Sequence, residues 1–262
     1  MRKIAISCLK ALLKTKPLTK AADFVVRALL QTTVSVVHNH QSLKLSHPNP
    51  QIRSRNETFS TKEPETLAWI ESFGKGEVLW DIGANVGLYS IYAAKLGAQV
   101  VAFEPSVFNL EFLVRNIGLN DVVDRVRVAA LALGGTSPGF SMLEMSSTAW
   151  GDSQNSFGSP STDAGTGNLR TIQYQVFGLP LDSVSNVLKL DYPHHIKIDV
   201  DGIEPEILES GPQTLKRAVS VLVETPRDRG ASERISSSLT RAGLNMVLTQ
   251  RQNQIWRREA SS

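Results

Sequence analysis

Residues 80–90, WDIGANVGLYS, set an acid, Asp81, at the end of an apolar run, with Gly83 and Gly87 directly behind it. Glycines at this spacing let a chain turn sharply and bring backbone N–H groups close to a ligand where the next helix starts. A second acid, Glu104, ends the following apolar run 23 residues after Asp81. A carboxylate at that place accepts two hydrogen bonds from a ribose diol. Three more acids, Asp199, Asp201 and Glu204, lie within HHIKIDVDGIE, and Lys197 stands inside the apolar run before them. Together these acids outline a nucleoside pocket at one sheet edge, with groups for acid–base chemistry beside it.

The identity of the nucleoside follows from charge. Dinucleotide folds seat a pyrophosphate on G-x-G-x-x-G. Here the run is Gly83-Ala84-Asn85-Val86-Gly87, preceded by Asp81. A carboxylate in that place repels pyrophosphate but pairs with an ammonium group. S-adenosylmethionine has an amino-acid tail, a ribose and no phosphate, so the charges favour this methyl donor over NAD. An NAD-type oxidoreductase is the competing enzyme reading. A donor-binding but catalytically silent scaffold is the competing reading outside catalysis.

Methyl transfer from a sulfonium is an in-line displacement, so the enzyme must align the acceptor and, for a hydroxyl, remove its proton. Asp199 ends a buried strand on the same sheet edge as Asp81 and Glu104 and is the first candidate for the base. Asp201 and Glu204 follow it closely. Glu204 has an equal second reading, as the negative charge at the start of the helix EPEILES. A divalent cation held by the three acids is the alternative to direct base catalysis. Nothing outside the cluster clearly supplies further ligands, so the metal alternative is open but not favoured. His194 and His195 stand at the far end of the strand and read as structural. Lys197 should pair with a nearby acid. Glu224 closes VSVLVE at the cleft edge, either positioning substrate or capping backbone.

The elements that must position these groups are legible as alternating patterns. Residues 1–37 read as one or two helices, and 38–56 as a connector or short strands. A helix follows near STKEPETLAWIESFG, with Pro64 in its first turn and Leu67, Ile70 and Phe73 as its stripe. Then come EVLWDIG, AQVVAFEP and RVRVAALAL as strands, with helices between them and Ser106 as the N-cap of the second. Residues 134–170 read as a long irregular segment over the cleft, a lid or an acceptor-binding loop. HHIKIDVDG and AVSVLVET are further strands, ERISSSLTRAGL a helix, and the chain closes in a hairpin. Apolar strands alternating with helices predict an α/β fold, a mostly parallel sheet with helices on both faces. The expected division is a basic helical extension and connector over 1–58 and one domain over 59–262, with Trp69 and Trp80 in the core.

A single cysteine, Cys8, excludes an internal disulfide framework and fits a reducing compartment, so the expected location is cytoplasmic. Residues 1–60 carry ten Lys and Arg against Asp23 and Glu57, while the remainder holds 18 basic and 23 acidic side chains. The basic arm reads first as a solvated amphipathic helix. Peripheral contact with an anionic membrane is a second reading, since Ile4, Cys8, Leu9 and Leu12 share a helical face. Few aromatics interleave with the basic residues, which disfavours nucleic acid as a partner.

The blocks EPETLAWIESFGKGEVLWDIGANVGLYSIYAAKLGAQVVAFEPSVFNLEFLVRNIGLN, HHIKIDVDGIEPEILESG and VLVET, taken in order, resemble the FkbM family of S-adenosylmethionine-dependent methyltransferases over roughly residues 60–225. The resemblance implies the class I methyltransferase (Rossmann-like) fold, a seven-stranded sheet whose last strand is antiparallel. It also implies methyl transfer, commonly to a hydroxyl oxygen of a sugar, glycan or related small molecule. Carried over, Asp81, Gly83, Asn85 and Gly87 fall on the donor-binding loop and Glu104 on the ribose-binding acid. Asn116 and Asn120 fall on the family's N-x-x-x-N helix end, and Asn116 is expected with the loop and Glu104 among the donor-binding residues. Lys197, Asp199, Asp201, Gly202 and Glu204 fall on its K-I-D-x-E-G-x-E block, with Asp201 where many members have Glu.

Overall fold

The computed structural model describes residues 16–153, 155–158 and 172–259. Helix α1 (Lys16–Leu30) is followed by a hairpin of β1 (Thr33–His38) and β2 (Gln41–Ser46), then α2 (Pro50–Lys62) and α3 (Pro64–Glu71). The main sheet begins with β3 (Val78–Ile82), α4 (Leu88–Leu96), β4 (Gln99–Phe103), α5 (Val107–Leu119) and β5 (Val126–Ala129). An inserted sheet holds β6 (Ala132–Leu133), β7 (Gly139–Met145), β8 (Asn155–Phe157) and β9 (Ile172–Leu179). After α6 (Val184–Leu188), the main sheet resumes with β10 (His195–Ile198), α7 (Glu204–Glu209), α8 (Pro212–Arg217) and β11 (Ser220–Glu224). Helix α9 (Arg229–Arg241) and the hairpin β12 (Asn245–Gln250) and β13 (Asn253–Arg257) complete it.

The seven strands lie in the order β12-β13-β11-β10-β3-β4-β5, and β13 runs antiparallel to both its neighbours. The chain winds outward from β3 through β4 to β5, then returns to β10 on the other side of β3. That reversal opens a crevice beyond the carboxyl ends of β3, β4 and β10, where open α/β sheets bind ligands. Alternate residues of these strands face opposite sides. Leu79, Val100, Ala102 and Leu222 pack into one core with α4 and α5. Trp80, Val101, Ile196 and Val221 pack into the other with α7, α8 and α9. Burial on both faces explains why the strands read as continuous apolar runs.

Several expectations are corrected. Residues 33–37 form a strand, not the end of a helix, because Val34 and Val36 alternate toward the core in a hairpin. The segment read as connector holds α2, whose start is fixed by Pro50 and by Asn49, its side chain accepting from the Ile52 N–H at 2.9 Å. The helix escaped notice because its buried side is only Ile52, Asn56 and Phe59. The expected boundary at 58/59 falls inside this helix, and Leu43, Leu45, Ile52 and Phe59 join the same core as α4. RVRVAALAL splits at Ala130, since β6 leaves the main sheet to pair with β9. The irregular segment contains β7 paired antiparallel to both β8 and β9. The Gly- and Ser-rich flanks hid the alternation of Leu143 and Met145 toward a small third core. Ser106 does stand at the N-cap of α5, but its hydroxyl makes no cap and contacts the Met145 sulfur. The amphipathic pattern of Ile4 to Leu12 and part of the expected lid, residues 154 and 159–170, lie outside the described residues.

The two asparagines of N-x-x-x-N act as substitute strand partners. Asn120 accepts from the Lys44 N–H at 3.0 Å and donates to its carbonyl at 2.8 Å. Asn116 accepts from the Ser46 N–H at 2.8 Å and donates to the Val86 carbonyl at 2.9 Å. Asn116 is fully buried and stands behind the glycine loop, so its work is to tie β2 to that loop rather than to touch a donor. Asn116→Ala should cost about 2–3 kcal/mol in urea unfolding, by orphaning two backbone groups, while exposed Val114→Ala stays within about 0.5 kcal/mol. Equal midpoints for the two variants would contradict this role.

Candidate active site

The crevice is an open cleft of about 200 Å3 floored by the carboxyl ends of β3, β4 and β10. Gly83, Asn85, Glu104, Asp199, Asp201 and Glu224 line it, and α2 contributes Arg55 and Lys62. The inserted sheet forms the facing wall with Ala132, Leu133, Leu143 and Phe157.

The glycine loop is held by packing as much as by its turns. Gly83 has φ +83°, and a Cβ there would lie 2.0 Å from the Asp199 carbonyl oxygen. Only glycine lets the exits of β3 and β10 meet so closely. Gly87, at φ +86°, would press a Cβ into the Leu113 side chain at 2.4 Å and does not line the cleft. Asn85 takes the left-handed conformation at φ 52°, tolerated because its own side chain accepts from the Val86 N–H at 2.9 Å. Glu104 clamps the loop: its two carboxylate oxygens accept from the N–H groups of Asn85 and Ser106, each at 2.8 Å. Burial pushes Glu104 up to about 7, against the pull of those N–H donors. A strap at 149–153, part of the segment read as a lid, closes over the loop. Asn85 and Asn109 donate to the Asp152 carbonyl at 3.0 and 3.1 Å, and Arg55 to the Gly151 carbonyl at 2.8 Å.

Beneath the cleft sits a buried ammonium. Lys197 pairs in register with Asp81 across β10 and β3, which points both side chains to the same face of the sheet. Its Nζ lies 3.0 Å from Asp199 Oδ2, 3.8 Å from Asp81 Oδ1 and 5.3 Å from the Tyr89 ring centre. Burial opposes the charge, yet Asp199, Asp81 and Glu63 together hold the ammonium above its ordinary pKa. Asp81 is buried, takes a 2.6 Å hydrogen bond from Ser90, and does not line the cleft. It therefore compensates Lys197 rather than a ligand's ammonium, which corrects the charge argument made from its position. Burial pushes Asp81 up by more than Lys197 and Ser90 draw it down. Burial also opposes Glu63, yet Lys197 and Lys62 keep it below the usual carboxylate range.

The remaining acids divide. Asp199 reaches the cleft and is held well below the usual range: burial opposes this, and the Lys197 ammonium overrides it. Glu224, also in the cleft, hydrogen-bonds Asp199, and that bond together with burial pushes it up to about 8. The two carboxyls therefore titrate as a pair, one ionisation held low by the Lys197 ammonium and the other raised. Asp201 lies exposed on the rim in a left-handed turn at φ 56°. Glu204 is buried and turned away, accepting from the Gly202 N–H at 3.0 Å at the start of α7. Its helix-start reading prevails over a catalytic one. His194 and His195 lie at the opposite strand end. His195 bonds Glu77 and Ser220, each at 2.8 Å, and stacks on Phe73. Among the described residues no group of three or more His, Cys, Asp or Glu is arranged to hold a metal ion.

A parallel sheet of this order with one antiparallel strand, a glycine loop after β3 and a carboxylate after β4, defines a class I S-adenosylmethionine-dependent methyltransferase. Residues 81–243 match the model of the methyltransferase FkbM domain. The chain belongs to the FkbM methyltransferase family. It is similar to the methyltransferase sdnD of Sordaria araneosa, 26% identical over 194 residues that cover 64% of this chain and 73% of that protein. Over 86 residues it is 33% identical to a tRNA (uracil(54)-C(5))-methyltransferase of Pyrococcus furiosus, covering 33% of this chain and 20% of that protein. Among solved structures, the magnesium protoporphyrin IX methyltransferase of Synechocystis PCC 6803 with bound SAM is 12% identical at TM-score 0.47, covering 81% of this chain and 86% of that one.

The ion cluster generates a stability prediction. Lys197→Met should cost about 3–5 kcal/mol in urea unfolding, because it strands buried carboxylates without a counter-charge. Adding Asp81→Asn should recover part of that loss. A single variant as stable as the native chain would rule out the buried pairing.

Proposed function

We propose that this methyltransferase binds S-adenosylmethionine in the cleft and methylates a hydroxyl oxygen of a sugar, glycan or related small polar molecule. The observation that carries this reading is the Asp199–Glu224 carboxyl pair on the cleft surface, with Lys197 beneath it.

The lining suits the donor. Asp199, which stays ionised on the cleft surface, offers a carboxylate to the positive groups of such a donor. Ile82, Phe103, Leu131 and Leu133 offer apolar surface for an adenine ring. Glu104 is placed to exchange a loop N–H for the ribose hydroxyls. When bound, the donor supplies an electrophilic methyl group on its sulfonium sulfur.

Removal of the acceptor's proton falls to the carboxyl pair. Lys197 keeps Asp199 ionised, and ionised Asp199 in turn makes Glu224 the more basic partner. Glu224 in its ionised form is then a base matched to mildly alkaline water. Arg55 and Lys62 above, and Ser153 on the strap, supply donors for the oxygens of a polyhydroxylated acceptor. Asp201 on the rim is suited to hold such an acceptor by its hydroxyls.

Titration calorimetry with S-adenosylhomocysteine tests the donor reading first. Micromolar binding by the native chain, weakened at least tenfold (about 1.4 kcal/mol) by Glu104→Ala, is the expected result. No binding by a folded native chain sinks it. With an acceptor found by screening sugars and glycosides for methyl uptake, kcat/KM should rise with pH and level off above about 8, as Glu224 gives up its proton. Glu224→Gln should lower kcat by about 10²–10⁴ and abolish the rising limb. A flat native profile, or an unchanged limb in the variant, would remove Glu224 from the reaction.

A further inference from the structure

We propose that α1 is a docking helix for an anionic membrane surface. Leu18, Ala22, Val25 and Leu29 follow one another at steps of three and four, so they form a single stripe along the helix. Amphipathic helices in this fold normally bury such a stripe, as α9 buries Ile235 and Leu239. Helix α1 does not. On the stripe Leu18, Val25 and Leu29 are exposed at 43%, 53% and 46%, with Val26 on its flank at 51%, and of the described helix only Leu30, at its end, packs against the core. A 15-residue helix whose apolar face meets water draws little support from packing and calls for a second apolar phase.

The charge pattern says which phase. Lys20 and Arg27 lie on the side of the helix away from the stripe, and Asp23, the single acid of residues 1–30, is already held by Arg27 at 2.8 Å. Arg2, Lys3, Lys10 and Lys14 add four more cations in the sequence ahead of it. An apolar groove on a protein would satisfy the stripe alone. An anionic lipid surface satisfies the stripe and the surrounding cations together, which is the signature of a helix lying in the membrane interface. None of the described helices is long and apolar enough to cross a membrane, so the contact is peripheral.

The test is co-sedimentation of the full chain with phosphatidylcholine vesicles, with and without phosphatidylserine, at low and high salt. The native chain should pellet with the phosphatidylserine vesicles, and high salt should weaken that binding. Val25→Glu with Leu29→Glu, both at exposed positions, should reduce binding at least about tenfold while S-adenosylhomocysteine binding and the circular dichroism spectrum stay native. Lys20→Glu with Arg27→Glu should reduce it on the anionic vesicles. Failure of the native chain to bind anionic vesicles overturns the proposal. So does equal binding by the Val25/Leu29 variant. If light scattering instead shows a native dimer that this variant dissociates, with no vesicle binding, the stripe serves self-association and the membrane reading falls.

Discussion

One buried ammonium sets the terms for the rest of the molecule. Lys197 is buried within a sheet lined mostly by apolar side chains, and an isolated charge there would be intolerable. Asp81 on the neighbouring strand, Asp199 two residues on and Glu63 before α3 converge on it, and each comes from a different stretch of chain. Strand register, the exit of β10 and the junction between α2 and α3 are therefore bound to a single electrostatic centre. Its consequence at the surface is a division of labour between carboxyls. The one nearest the ammonium is drawn toward its ionised form, and its neighbour Glu224 is pushed the other way.

Around that centre the chain solves two polar problems with side chains in place of secondary structure. Glu104 satisfies the N–H groups of a loop and of a helix start at once. Asn116 and Asn120 complete the edge of a hairpin that has no third strand. Both devices place a polar side chain where a backbone partner is missing, and both fix the glycine loop from behind. The loop is thus held on its inner side by side chains and on its outer side by the 149–153 strap.

The main sheet was open to a reading of the sequence because β3, β4, β10 and β11 are short apolar runs ending in an acid, which marks both the strand and its carboxyl end. Position along a strand, however, does not reveal what lies beside it. Asp81 was read as facing a ligand because its cross-strand partner Lys197 arrives far along the chain. Helix α2 was missed since two apolar residues cannot display a period, although Asn49-Pro50 carried its start signal. The inserted sheet was hidden by composition: its glycines and serines outweigh an alternation only a few residues long. Arg55 and Lys62 entered the cleft from that unseen helix, and no spacing rule could have linked them to Glu104. Glu204 could not be divided between two roles until the position of Gly202 showed which way its carboxylate turns.

The close approach at Gly83 has a mechanical meaning. With the loop after β3 resting on the Asp199 carbonyl, the floor of the cleft is a single fused joint in which loop and acid cannot shift independently. Any widening needed to admit an acceptor or discharge a product must come from the roof, where the strap meets the loop and α5 through two side-chain hydrogen bonds to the Asp152 carbonyl. Diversification of such an enzyme is confined in the same way. New acceptors can be accommodated by rebuilding the roof, while the floor tolerates no side chain at residue 83.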